Sequence, residues 1–326
     1  MPKLVTVIIT VYNGDKFIDR CVESVLSQQN FDINELEILI INDGSTDGSL
    51  KKINTYKSQF PKIFTVINQK NKGAANARNH GISLAKGDFL TIVDQDDWLD
   101  SNFLSQFIEA LEEDTDVVQG GFSLVSENKQ IIKQIFPTET EFGKFLAIPA
   151  WAKLYRTEFL RSNKINFFEN NIGEDSIFTV DVIRKCRKYK TIRYAGYNNF
   201  FENLENVTNG LHKGLSPQVN FVGLLNRLKQ TLDSQNSIYE YNLIRTFCYY
   251  LLSYGKYATP DRFREVYLEI FKWIKENKIY IYKNRYVWFA PSGELISARL
   301  GIKIILLVEV FRLIKPFSKI YAKGKN

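Results

Sequence analysis

Eight residues near the N-terminus, Leu4-Val-Thr-Val-Ile-Ile-Thr-Val11, restrict the fold of this chain more than any others. A β-branched run of this kind makes a strand buried on both faces, which requires a sheet covered by helices on each side. The pattern then repeats. Residues 15–29 place Phe17, Ile18, Cys21, Val22, Val25 and Leu26 on one helical stripe. Glu37-Ile-Leu-Ile-Ile41, Ile63-Phe-Thr-Val-Ile67 and Phe89-Leu-Thr-Ile-Val93 read as further strands, and Asp116 to Phe122 as a fifth. A helix is expected from about Gly73 to Lys86, stopped by Gly87. Strand–helix alternation with short links predicts an α/β fold with a mostly parallel, doubly wound sheet. In such sheets ligands collect beyond the carboxyl ends of the strands. The polar clusters Asn42-Asp-Gly-Ser-Thr-Asp-Gly-Ser49 and Asp94-Gln-Asp-Asp97 both fall there.

From about Leu124 the pattern loosens into mixed short strands and helices that close near His212, and residues 216–280 read as amphipathic helices. The expected division is a first domain of residues 1–215, with halves 1–123 and 124–215, and a C-terminal helical region of 216–326. Fifteen of the forty-nine residues from Tyr241 to Phe289 are aromatic, against 14% for the whole chain. That density marks either a separately packed region or a contact surface, self-association included.

Charge is distributed just as unevenly. Forty-three Lys and Arg against thirty-six Asp and Glu give +7, yet Arg299 to Asn326 alone carries seven basic groups against the single Glu309, a net of +6. The remaining body is almost neutral, which excludes a nucleic-acid groove across it. Within the basic tail, Ile304, Leu307, Val308, Phe311 and Ile314 recur at helical spacing beside Arg312, Lys315 and Lys319. An apolar helix followed by basic residues suits a segment lying on an anionic membrane surface. A last helix packed on the body or on another subunit, with a solvated basic end, accounts for the same pattern. Cys21, Cys186 and Cys248 are far apart without CxxC spacing, so reduced thiols and a cytoplasmic setting are expected. The N-terminus lacks the features of a signal peptide, and the strongest apolar stretch, Ile304 to Val308, falls far short of the ~20 residues that span a bilayer.

Three carboxylates within Asp94-Gln-Asp-Asp97 repel one another at the end of a hydrophobic strand. Such crowded hard oxygens suit Mg2+ or Mn2+, held by few protein groups together with phosphate oxygens. A solvated acidic turn, with Asp100 as a helix cap, is the plainer alternative. The cluster Asn42 to Ser49 reads equally as an ordinary turn and helix cap. In Asn71-Lys-Gly-Ala-Ala-Asn-Ala-Arg78-Asn-His-Gly81, Gly73 and the alanines let a helix start approach a ligand, and Arg78 brings a cation there. Tight helix–sheet packing explains the small residues as well. The glycine fingerprints of phosphate-loop NTPases and dinucleotide-binding folds are both missing.

Taken together, Val7-Ile-Ile-Thr-Val-Tyr-Asn13, Asn42 to Ser49, Asn71 to Gly81, Val93-Asp-Gln-Asp-Asp97 and Gly173-Glu-Asp-Ser-Ile-Phe178 resemble the motifs of family 2 glycosyltransferases of the GT-A fold, in the family's order and spacing. The resemblance covers about residues 1–210 and leaves 216–326 outside it. It implies an inverting transferase that uses a nucleotide sugar, UDP-linked, together with Mn2+ or Mg2+. By the same resemblance, Asp43 accepts from the base, Tyr12 lines it, and Thr10, Asn71, Arg78 and Gln95 lie along the nucleotide sugar. Asp94 and Asp96 match the Asp-x-Asp that handles ribose and metal, with Asp97 sharing the work and His212 standing where a third metal ligand is common. Asp175 matches the catalytic base, with Glu174 beside it. The implied acceptor is a growing bacterial surface glycan, lipid-linked or protein-linked. Three departures stand out: Thr10 in place of proline, Asn42 in place of aspartate, and Tyr197-Asn-Asn-Phe-Phe201 without the arginine of many bacterial relatives, before Asn206-Val-Thr208. A non-catalytic binder acting as a scaffold through its aromatic C-terminal region is the rival reading. A sugar nucleotidyltransferase would need a glycine-rich basic loop that is missing here.

Overall fold

A computed structural model of the chain describes residues 3–146, 149–169, 172–201, 215–217, 219–232 and 236–324. The elements that carry the motifs are β1 (Lys3–Val11), α1 (Ile18–Leu26), β2 (Leu36–Asn42), α2 (Ser49–Gln59), β3 (Phe64–Asn68), α3 (Ala74–Leu84), β4 (Gly87–Asp94), β5 (Trp98–Leu99), α4 (Phe103–Glu109), β6 (Val117–Val125), β7 (Ile131–Ile135), β8 (Lys153–Arg156), α5 (Thr157–Ser162), α6 (Glu174–Lys185) and β9 (Tyr189–Phe200). They form one sheet in the order β3-β2-β1-β4-β8-β6-β9-β5, with β7 paired to β6.

The four strands that stand out in the sequence are mutually parallel. Beyond β4 the sheet is mixed: β8 runs antiparallel between β4 and β6, while β9 is parallel to β6.

Alternation along β1 feeds two cores. Val5, Val7, Ile9 and Val11 pack with Ile18, Cys21, Val22 and Val25 of α1. Ile8, on the other face, packs with Ala75, Ala77 and Ile82 of α3 and with Phe178 and Val182 of α6. A Cβ on Gly81 would come within 2.6 Å of the Ile8 side chain. The small residues of α3 therefore do serve tight packing, and that packing presses the start of the helix against the strand ends.

The chain divides into two compact units. One comprises Met1–Glu139, Ala147–Glu169 and Glu174–Asn203; the other comprises Thr140–Leu146, Asn170–Gly173 and Leu204–Asn326. The second unit thus draws two short internal segments, and everything from Leu204 onward, from the stretch 1–215 expected to form the first domain. Its helices include Phe221–Lys229, Ser237–Gly255, Pro260–Glu276, Ile296–Val310 and Ile314–Tyr321. Many of the aromatics counted in the sequence make its core, as where Tyr267 stacks on Phe271 at 4.4 Å and Phe247 meets Phe271 at 6.1 Å. Among the described residues, no helix is long and apolar enough to cross a membrane.

Candidate active site

The site is assembled from the turns that leave β1, β2 and β4. After β1, Asn13 takes a left-handed conformation with φ 49°, which asparagine tolerates better than most side chains. Its Oδ1 accepts from the Thr46 N–H at 2.8 Å, and its own N–H donates to Ser45 Oγ at 3.1 Å. The turn after β1 is thereby latched to the turn after β2. Tyr12 donates its N–H to Gln95 Oε1 at 2.9 Å and accepts from Gln95 Nε2 at 3.0 Å. Gln95 therefore acts as an extra rung joining β1 to β4, and the Tyr12 ring is left exposed. Thr10 lies in the ladder opposite Ile41 and Asp94, a central position where proline would remove a donor.

Asp43 is buried at the end of β2. Its Oδ1 accepts from Gln69 Nε2 at 2.8 Å and Lys72 N–H at 2.9 Å, and its Oδ2 accepts from Gly73 N–H at 2.8 Å. Three of the roughly four acceptor positions of a carboxylate are thus used, and the charge sits at the favourable N-terminus of α3. Asn71, exposed, accepts from the Gly73 N–H at 3.2 Å. The approach of this segment depends on Gly44, whose φ is +76° and whose Cβ, if present, would lie 2.8 Å from the Asn71 nitrogen. Gln69 is oriented in turn by His80 Nδ1 at 2.7 Å. Neither Gln69 nor His80 is a site residue by sequence, because neither belongs to a charged or repeated pattern.

Arg78 holds the centre. It is 7% exposed and reaches Asp94 Oδ1 with Nη2 at 2.7 Å and Asp175 Oδ1 with Nη1 at 3.2 Å. Its guanidinium also lies 5.2 Å from the centre of the Phe167 ring. One buried cation therefore joins two carboxylates that are 81 positions apart in the chain.

Asp175 stands with Glu174 in the first turn of α6. Burial pushes its carboxyl up to about 7 against the pull of Arg78, with Glu174 and Asp94 adding to the rise. Beneath it on β8, Lys153 is 1% exposed and donates to the Pro149 carbonyl. Burial draws the Lys153 ammonium down to about 7, with Asp175 opposing. Lys153 is not foreseen in the sequence, although a lysine inside Ala-Trp-Ala-Lys-Leu-Tyr is the available signal.

Asp97 requires a correction. The turn that closes with its N–H donating to the Asp94 carbonyl at 3.0 Å directs its side chain inward, where it is 1% exposed. Its oxygens accept from Tyr197 Oη at 2.7 Å, the Phe200 N–H at 2.8 Å and Asn199 Nδ2 at 3.1 and 3.2 Å. Burial, reinforced by Asp96 and Asp94, holds this carboxyl well above the usual range. With its acceptor positions filled by β9, Asp97 is a support for the turn and not a metal ligand. Tyr197 also accepts from the Asp94 N–H at 3.2 Å and stacks flat on Trp151 at 4.5 Å. The stretch that lacks the expected arginine therefore braces the acidic turn from behind. On the other side, Arg20 Nη2 donates to the Asp96 carbonyl at 2.6 Å, with its guanidinium over Trp98 at 4.0 Å.

Among the described residues, no three His, Cys, Asp or Glu side chains converge as a metal cage. Asp94 and Asp96, both partly exposed, supply two hard oxygen donors. That set fits Mg2+ or Mn2+, which complete their shells with phosphate oxygens and water. His212 and Asn206-Val-Thr208 lie outside the described residues.

The turns thus set an acidic pair at the end of a central strand, an ordered turn beside it and the partly exposed, raised carboxyl of Asp175 nearby. The chain belongs to glycosyl transferase family 2, whose profile matches residues 6–171. It is 29% identical over 211 residues to the uncharacterized glycosyltransferase EpsJ of Bacillus subtilis, a match covering 59% of this chain and 59% of that one. It is 30% identical over 175 residues to the putative glycosyltransferase EpsH of the same organism, covering 50% of each. The chain thus spans little more than half the length of these curated relatives. Its fold resembles that of S. aureus TarS 1-349 in complex with UDP-GlcNAc, with TM-score 0.63 and 18% identity, covering 99% of this chain and 93% of that one. The mannosyltransferase PcManGT of Pyrobaculum calidifontis, solved with GDP-Man and Mn2+, aligns with TM-score 0.54 and 13% identity over 98% of this chain and 86% of that one.

Proposed function

We propose that the protein is an inverting, divalent-metal-dependent glycosyltransferase that moves a sugar from a UDP-sugar to a hydroxyl of a growing bacterial surface or glycoprotein glycan, in the cytoplasm. The observation that carries the proposal is the Arg78 bridge between Asp94 and Asp175, which sets one raised carboxyl beside one acidic pair. The UDP-GlcNAc held by TarS and the Mn2+ held by PcManGT support the donor and the metal. In this mechanism Asp175 takes the proton of the acceptor hydroxyl as that oxygen attacks the anomeric carbon. A single base on the face opposite the leaving group gives inversion, whereas a glycosidase would need two flanking carboxyl groups. Asp94 and Asp96 would hold the metal, which would supply charge neutralisation for the departing diphosphate. The exposed Tyr12 ring stacks on the base, whose N–H occupies the last acceptor position of Asp43. Asn71 lines the same side.

Incubation with UDP-Glc, UDP-Gal, UDP-GlcNAc and UDP-GalNAc and Mn2+ is expected to release UDP from at least one donor, and chelation with EDTA to stop it. Silence across donors and acceptors would favour the scaffold reading, and release unaffected by EDTA would remove the metal. The pH profile gives a second test. The base must be ionised, so kcat/KM should fall about tenfold per pH unit below about 7 and level off above it. Removing the neighbouring ammonium with Lys153→Met should move that limb to higher pH, because a lost positive charge disfavours the carboxylate. A limb that stays in place would deny the two groups any coupling.

A further inference from the structure

Helix Ile296–Val310 turns Ile302, Ile305, Leu306 and Val308 inward. Gly301 lets it approach the helix Ser237–Gly255 so closely that a Cβ there would come within 2.8 Å of Leu252 Cδ1. Its outward face ought therefore to be polar. It is not. Ile296, Leu300, Ile304, Leu307, Val310 and the following Phe311 are all exposed, Ile296 at 73% and Phe311 at 65%. At 3.6 residues per turn these six side chains fall within an arc of about 120°, and Lys303 is the one polar residue inside it. Leu313 and Ile320 further along are exposed as well, and Lys303 shares a cleft with Trp288 and Phe289, the latter 81% exposed. Six exposed apolar side chains on one helix face mark an interaction site.

Charge identifies the occupant. Lys303, Arg312, Lys315, Lys319 and Lys323 are exposed around the patch. Among the described residues from 291 to 324, no Asp or Glu is exposed: Glu294 is buried, and the half-buried Glu309 accepts from Tyr267 Oη at 2.7 Å. A second copy of this chain docked face to face would set the same cations against each other, since a two-fold interface is self-complementary. Apart from Lys303, the outward arc presents hydrocarbon without hydrogen-bonding side chains, and exposed aromatics beside it suit a headgroup boundary. At about 1.5 Å per residue the helix is far too short to span a bilayer and fits lying in its surface.

We infer that the outward face of Ile296–Val310 and the lysines that follow form a binding surface for an anionic lipid bilayer. The inference stands on this patch alone and does not depend on the catalytic assignment. Co-sedimentation of the full chain with vesicles tests it. Binding is expected to phosphatidylcholine vesicles containing phosphatidylglycerol, to weaken in high salt, and to be at least tenfold weaker to phosphatidylcholine alone. Lys315→Glu and Lys319→Glu should each reduce binding by at least about fivefold. Leu300→Glu combined with Leu307→Glu should abolish it while leaving the melting temperature intact, a control that is valid whether or not UDP release is observed. Undiminished vesicle binding by that double variant would overturn the inference. So would failure of the native chain to bind, alone or together with a dimer in sedimentation analysis.

Discussion

Replacing Asp175 with asparagine is expected to lower turnover by about 10²- to 10⁴-fold, the range a positioned general base supplies. UDP binding should be nearly unchanged. The substitution is isosteric, and the amide oxygen still offers Arg78 Nη1 an acceptor where the carboxylate now stands at 3.2 Å. What disappears is the capacity to hold a proton near neutral pH, which in the native protein comes from burial working against Arg78. The pH limb near 7 should vanish with the activity. Turnover within a few-fold of native in Asp175→Asn would remove this residue as the base, and Glu174, the next carboxyl in the same turn of α6, would be the group to test.

The second large effect is expected at Arg78. Arg78→Met leaves Asp94 and Asp175 side by side without their shared cation. Breaking a buried ion pair by removing one partner costs about 3–5 kcal/mol. Here both carboxylates are about a quarter exposed, at 26% and 27%, so water screens part of the loss and the lower end of that range applies. The melting temperature should fall. Asp175 should also hold its proton to higher pH, because the charge that opposes burial is gone. At pH 7 kcat/KM should therefore drop by more than tenfold, with partial recovery in alkaline buffer. Arg78→Lys keeps the charge but not the fork that reaches two partners at once, so it should restore stability better than rate. A native melting temperature and a native pH profile in Arg78→Met would show that the bridge does neither job.

The two substitutions bear on how far this site is legible without coordinates. The acidic turn is visible as Asp94-Gln-Asp-Asp97, but its three carboxylates look alike in one dimension. The turn geometry sends Asp97 into the protein, against Tyr197, Asn199 and Phe200 of β9. Those partners come from about a hundred positions downstream, so no local pattern marks the residue as a support. Arg78 is visible as a cation on a helix of small residues. Its two anionic partners are set by α3, β4 and α6 packing around one point. Lys153 is hidden for a related reason: the Pro149 carbonyl it donates to is only four positions back, but the Asp175 charge that opposes its burial comes from elsewhere in the fold.

The helix Ile296–Val310 follows the same logic. Its apolar residues are visible as a run with an untidy stripe, consistent with packing on protein or lying on a membrane. Only the contact with Ser237–Gly255 shows which side is covered and which six residues remain outside.

By itself, the sequence determined the parallel strands, the helices between them, the turns at the strand ends and the family to which these belong. Each of these follows from interactions within a few residues, namely side-chain periodicity, glycine at strained turns, and small residues where a helix meets a sheet. The tertiary structure alone decided which carboxyl is withdrawn, which is raised at the site, which two Arg78 joins and which helix face is left bare. Those outcomes depend on burial and on partners far away in the chain, and the free energy of a charge or an apolar surface is set by what surrounds it.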